Sequence, residues 1–196
     1  MTKQELEQCI KAEKTAALVV NTHARKGERL FAQAQNYLTT RGISLIASSP
    51  VKDPSRLPDV IKDLVHRGCK FIIVGGGDGT VSSIVDALAY QDVVLGLLPL
   101  GTGNSFARTL GLPLSLQGAI EVVVQGKVAD IDLSKVDGDY FANVASLRGR
   151  MAPSGARPST GPGKRSAPRA GQRLVGVVAS HWRPQARSLR GRDRRS

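Results

Sequence analysis

The chain has 196 residues, a formal net charge of +12 and two cysteines. The charge is all in the tail: residues 1–147 carry 15 basic and 15 acidic side chains, and residues 148–196 carry 13 basic ones against Asp193 alone. Two cysteines, Cys9 and Cys69, make no disulfide framework and point to a reducing cytoplasm. The charged first 15 residues exclude a signal peptide, and no apolar run reaches the roughly 20 residues of a spanning helix, so any membrane contact is peripheral.

Taken in order, residues 3–14 predict a short amphipathic leader helix that packs loosely. Ala16 to Val20 read as a first strand ending at Asn21. A polar loop, Asn21-Thr22-His23-Ala24-Arg25-Lys26-Gly27, leads into a helix with Leu30, Ala34, Tyr37 and Leu38 at helical spacing and a glycine stop at Gly42. Ile43 to Ala47 predict a second strand with Ser48 and Ser49 at its exit. Asp53 can cap the next helix, whose Leu57, Ile61, Leu64 and Val65 share a face before Gly68 ends it.

Residues 71–80, Phe-Ile-Ile-Val-Gly-Gly-Gly-Asp-Gly-Thr, are the centre of the chain. Phe71 to Val74 suit a strand buried on both faces of a parallel sheet. The glycines that follow let the backbone approach a ligand, so successive N–H groups can line an anion-binding concavity. Val81, Ile84, Val85 and Leu88 then open a helix, whose N-terminus favours negative charge. Asp78 would be repelled by phosphate unless a cation lies between them, which suggests metal-assisted phosphate chemistry. The spacing excludes a dinucleotide fingerprint, because Gly75 and Gly77 are followed by Thr80, and Gly77 and Gly79 by Ser82. No lysine completes a Walker pattern.

Val93 to Leu98 predict a fourth strand, and Pro99 to Arg108, Pro-Leu-Gly-Thr-Gly-Asn-Ser-Phe-Ala-Arg, a second glycine turn into a helix. Residues 116–125 predict one more helix, and 128–134 and 140–145 two strands of a hairpin around Asp137-Gly138. The alternation predicts an α/β fold with a mostly parallel sheet and flanking helices over 15–127, followed by an incomplete β domain over 128–147. Loops at the carboxyl ends of parallel strands share one edge, so Asn21, Ser48, the 75–80 turn and the 101–104 turn are expected in one crevice.

These motifs, in this order and spacing, resemble the catalytic domain of bacterial diacylglycerol kinases and sphingosine kinase-like lipid kinases from about residue 15 to 147. The resemblance implies an N-terminal α/β domain and a C-terminal β-sandwich with ATP and Mg²⁺ between them. Gly76, Gly77, Asp78, Gly79 and Thr80 match the family's phosphate-binding turn. Asn21 matches the first-loop asparagine, Ser48 falls where a nucleotide-contacting threonine is usual, and Thr102 matches the threonine of the second turn. Asp78 is implied to help place Mg²⁺. Where the family usually shows Asn-Glu and a further Asp, this chain has Ser82, Ser83 and Ser105. NAD kinases and phosphofructokinases share the Gly-Gly-Asp-Gly-Thr/Ser element alone, and the 99–108 stretch favours the lipid branch.

The implied activity is transfer of the γ-phosphoryl of ATP to a diacylglycerol-like hydroxyl, by a cytoplasmic protein peripheral at the inner membrane face. Its implied partners are ATP and a lipid alcohol at a membrane surface, with self-association expected and nucleic acid not favoured. An NAD kinase-like enzyme, or a nucleotide-binding adaptor whose basic tail contacts anionic membrane or nucleic acid, are the alternatives. The family's general base, an aspartate of the second domain, has no counterpart here, so incomplete catalysis is expected. His23, Arg25, Lys26 and Arg108 are further candidates for phosphate or head-group contact. Residues 148–196, dominated by Arg, Gly, Pro, Ser and Ala with one apolar island at Leu174 to Ala179, predict a disordered tail. Three readings of that tail stay open: a basic arm, a linker, or a shifted reading frame.

Overall fold

The computed structural model describes residues 1–23, 27–131, 134–136, 139–141 and 175–179. The expected alternation is present. Helix α1 (Lys3–Glu13), β1 (Thr15–Asn21), α2 (Gly27–Thr40), β2 (Ser44–Val51), α3 (Leu57–His66), β3 (Phe71–Gly76), α4 (Asp78–Leu88) and β4 (Val94–Pro99) follow one another. After them come α5 (Ser105–Thr109), α6 (Leu116–Gln125), β5 (Lys127–Ile131), β6 (Ser134–Val136), β7 (Asp139–Phe141) and β8 (Val175–Ala179). Asp53 caps a short 3-10 turn at Pro54–Arg56, accepting from the Ser55 amide at 3.0 Å, and α3 begins just after it.

The main sheet has the order β2-β1-β3-β4-β8-β5. The first four strands are parallel, β8 continues parallel to β4, and β5 returns antiparallel to β8. Each strand of β1, β3 and β4 is buried on both faces, which is why each reads as a continuous apolar run. Alternation sorts the side chains of β1. Ala17 and Val19 pack with Ile72, Val74, Leu95 and Leu97 under α3, α4 and α5. Ala16, Leu18 and Val20 pack with Phe71, Ile73, Val94 and Leu98 under α1, α2 and α6. Two apolar layers therefore clamp one sheet, and each fully buried Leu, Ile or Val contributes about 1.5–3 kcal/mol.

The leader helix docks more firmly than its composition predicts. Thr2 and Glu5 form a reciprocal capping box, Leu6 is fully buried, and Glu7 accepts the Val128 amide of β5 at 3.1 Å. Leu6 and the partly buried Ile10 on the inner face, with a carboxylate reaching the sheet edge, seat it.

Two expectations for the C-terminal half need correcting. The strand expected to open a second domain at 128–134 is β5, and it belongs to the main sheet. Only β6 and β7 form the expected hairpin, with Val136 opposite Asp139 across positions 137–138; residues 142–145 lie outside the described residues. Within the tail expected to be disordered, Val175–Ala179 form β8, paired with β4 on one side and with β5 on the other. The apolar island supplies strand-forming residues, and pairing with β5 along its length and with β4 at Gly176 and Val177 helps offset the cost of ordering it. The rest of 148–196 lies outside the described residues.

Candidate functional site

In the sheet, the connection from β1 runs outward to β2 while β3 lies on the other side of β1. Strand order reverses there, and a crevice opens at the carboxyl ends of β1 and β3, where open α/β sheets take their ligands. Asn21 stands at one lip, as the last residue of β1, and Gly76 and Gly77 at the other. Val20 pairs in register with Gly75, so the two ends are level.

The glycine turn is shaped by what it must avoid. A Cβ on Gly76 would lie 2.4 Å from Thr80 Oγ1, so the buried Thr80 side chain fills the space a side chain there would need. Thr80 Oγ1 in turn accepts from Asn21 Nδ2 at 3.0 Å, which ties the first loop to the turn. A Cβ on Gly77 would sit 3.1 Å from Gly101 Cα, and one on Gly101 2.5 Å from Gly77 Cα. The two glycine turns therefore touch backbone to backbone. Leu100 adds a main-chain bond to Gly76 O at 2.9 Å.

Gly79 is different. A Cβ there would meet nothing within 4 Å, so packing does not demand glycine at this exposed position. A ligand approaching from outside would. Gly77 is the N-cap of α4 and provides no side-chain cap, so the first amides of this 11-residue helix keep their anion-binding character.

The second turn is held by its own asparagine. Asn104 lies in the left-handed region (φ 50°), buried, with Oδ1 accepting from Gly101 N at 3.0 Å and Nδ2 donating to Gly101 O at 2.7 Å. Its side chain is thus turned back on the turn, leaving none for α5. Asp78 caps α5 instead: Oδ2 accepts from Ser105 N and Oδ1 from Phe106 N, each at 2.9 Å. Partial burial pushes the Asp78 carboxyl up, but the amides of Phe106 and Ser105, with the Ser105 hydroxyl, outweigh it and hold the group below the ordinary carboxylate range.

Of the residues expected in one crevice, Asn21, Gly76, Gly77, Asp78, Gly79 and Thr80 converge, and Thr102 sits exposed on the adjoining turn. Ser48 does not reach the same edge. Strand β2 runs on to Val51, so Ser48 pairs with Leu18 in mid-strand, three residues short of the end. His23 Nδ1 is 3.3 Å from Lys52 O, and Arg108 Nε donates to Gly103 O at 3.1 Å, bracing the second turn. Arg25 and Lys26 lie outside the described residues. Sequence reasoning missed Thr22, whose buried hydroxyl has no hydrogen-bond partner, and the close seating of α2 on it: a Cβ at Gly27 would lie 2.4 Å from Thr22 Cα. The signal was present as Gly27 closing the first loop.

A model of the diacylglycerol kinase catalytic domain matches residues 15–136. The chain belongs to this family. It is 40% identical over 91 residues to a protein of Enterobacter sp. (strain 638) named "Probable lipid kinase YegS-like", a stretch covering 44% of this chain and 30% of that protein. A protein of the same name from Yersinia pestis (strain Pestoides F) is 42% identical over 80 residues, covering 38% of this chain and 27% of that one. The crystal structure of a diacylglycerol kinase from Bacillus anthracis str. Sterne superposes with a TM-score of 0.57 and 28% identity over 66% of this chain and 44% of that one. The chain therefore spans under a third of the curated relatives it matches and under half of the solved one.

For a diacylglycerol kinase catalytic domain, the crevice fits a phosphate chain: glycines without side chains, an uncapped helix N-terminus and a second turn in contact. Each Asp78 oxygen accepts one backbone amide, and among the described residues no group of three His, Cys, Asp or Glu side chains stands together. No described helix is long and apolar enough to cross a membrane.

Proposed function

We propose that this domain is the nucleotide-binding part of an ATP-dependent lipid kinase that transfers the γ-phosphoryl to the hydroxyl of a diacylglycerol-like lipid at a membrane surface. The observation that carries the reading is the open N-terminus of α4, with Gly79 unobstructed and Gly77 pressed against the second turn at the strand-order reversal. Amides of residues 78–80 hold the phosphates and, with the helix dipole, offset the charge that develops as the phosphoryl group moves. Asn21, through Thr80, sets the angle of the turn against β1. A divalent cation of the kind phosphoryl transfer uses travels with the nucleotide phosphates.

Calorimetric titration of the full chain with ATP, ADP and AMP tests the reading. Affinity falling in that order, as phosphates are removed, is expected; equal affinities for all three, or none, overturn it. Transfer of radiolabelled phosphate from ATP to diacylglycerol in mixed vesicles, against vesicles lacking the diol, tests the acceptor.

A further inference from the structure

The inference rests on the reading of the crevice as a nucleotide site and concerns Asp78. We propose that Asp78 is the positioning residue that locks the second glycine turn against the first, and that the cation accompanying the nucleotide is held by the phosphates and not by this carboxylate.

Three observations lead there. Helix α5 has five residues, too few to persist by itself, and it starts from an asparagine whose side chain is committed to Gly101. Its first two amides depend on Asp78, which lies 27 and 28 residues earlier and accepts from both at 2.9 Å. Second, the turn folds over the carboxylate. A Cβ on Gly103 would come within 3.1 Å of Asp78 Oδ2, so the turn passes close beside that oxygen and any side chain at 103 would crowd it. Third, the positions after the turn hold hydroxyls, and Ser83 Oγ is used locally, donating to Thr80 O at 2.8 Å.

Each carboxylate oxygen keeps a second lone pair, so counting acceptors does not decide between cap and cation. Orientation bears on it: the two bonds fix the carboxylate plane, so any rotation to meet the near-octahedral demand of Mg²⁺ releases α5. Asp78 thereby converts two separate turns into one rigid wall of the crevice. Replacing it by asparagine leaves one acceptor and points an NH₂ group at a backbone N–H, opposing two donors.

Amide hydrogen exchange on the full chain without nucleotide tests this, comparing Asp78→Asn with the unaltered protein. Exchange at Ser105 and Phe106 is expected to quicken at least about fivefold while β1 and β3 are unchanged. Affinities for ATP with Mg²⁺ and for ATP with EDTA are expected to fall by the same factor. Unchanged exchange at 105 and 106, with a loss confined to Mg²⁺-loaded nucleotide, would overturn the proposal. Should the variant unfold, a Mn²⁺ titration of the unaltered protein without nucleotide decides: no paramagnetic broadening of the 78, 105 and 106 amides supports the cap, and selective broadening there sinks it. Absence of any nucleotide binding by the unaltered protein would sink the nucleotide reading and leave the exchange comparison standing.

Discussion

Gly77 and Gly101 meet backbone to backbone, and a methyl group built on Gly101 would lie 2.5 Å from Gly77 Cα and 3.0 Å from Asn104 Oδ1. The crevice wall is therefore one surface made of two sequence-distant turns. Gly101→Ala must push them apart, and overpacking of this kind costs about 1–3 kcal/mol. Gly79→Ala is its counterpart: the methyl meets open space, and alanine favours a helix by up to about 1 kcal/mol. Thermal denaturation should show Gly101→Ala melting lower and Gly79→Ala unchanged or higher, yet both should bind ATP more weakly. Wild-type ATP affinity in Gly79→Ala would mean that no ligand approaches there.

Asn21 and Thr80 should be coupled. Thr80→Val keeps the volume but removes the acceptor of the 3.0 Å bond, leaving a part-buried amide unpaired at a cost of about 1–3 kcal/mol. Asn21→Ala and Thr80→Val together should cost less than their separate costs added, by about 0.5–1.5 kcal/mol in a denaturant double-mutant cycle. Strict additivity would show that the bond does not hold the first loop to the turn.

Acid should loosen the second turn through Asp78. Its folded-state carboxyl is lowered, so its contribution to stability is complete above the unfolded value near 3.9 and is lost as pH falls through the folded value below it. Urea midpoints measured between pH 6 and 3 should fall at the acid end, and less steeply in Asp78→Asn than in the unaltered protein. Parallel curves for the two would contradict the cap.

Strand β8 gives a fourth test. Val177 sits opposite Leu95 and Ala129, between β4 and β5, so Val177→Pro removes a ladder donor from an interior strand. Exchange protection of residues 127–131 should drop while β1 and β2 keep theirs. Retained protection of β5 would show that the tail strand does not hold it.

Much of this architecture is legible in the sequence because local periodicity and buried parallel strands coincide: Phe71–Gly76 and Val94–Pro99 are apolar throughout and buried throughout. The phosphate-type turn is legible for the same reason, since four glycines around one acid are a local signal. Contacts between distant segments are not. Asp78 reads locally as an acid at a helix start, and only the fold brings Ser105 and Phe106 to it. The sequence predicts a second strand ending at Ala47, but β2 lies at the sheet edge, where the missing N–H of Pro50 costs little, so the strand runs on to Val51 and leaves Ser48 short of the crevice. The run at 175–179 carries no mark of which strands it joins.

The central claim is that nucleotide phosphates dock on the N-terminus of α4 between the two turns. Backbone amide resonances followed during ATP titration of the full chain test it most directly. The account predicts the largest shifts at residues 77–80 and 101–104, next largest at Asn21, and little change at Ser48. Shifts concentrated elsewhere, with 77–80 unmoved, would contradict it.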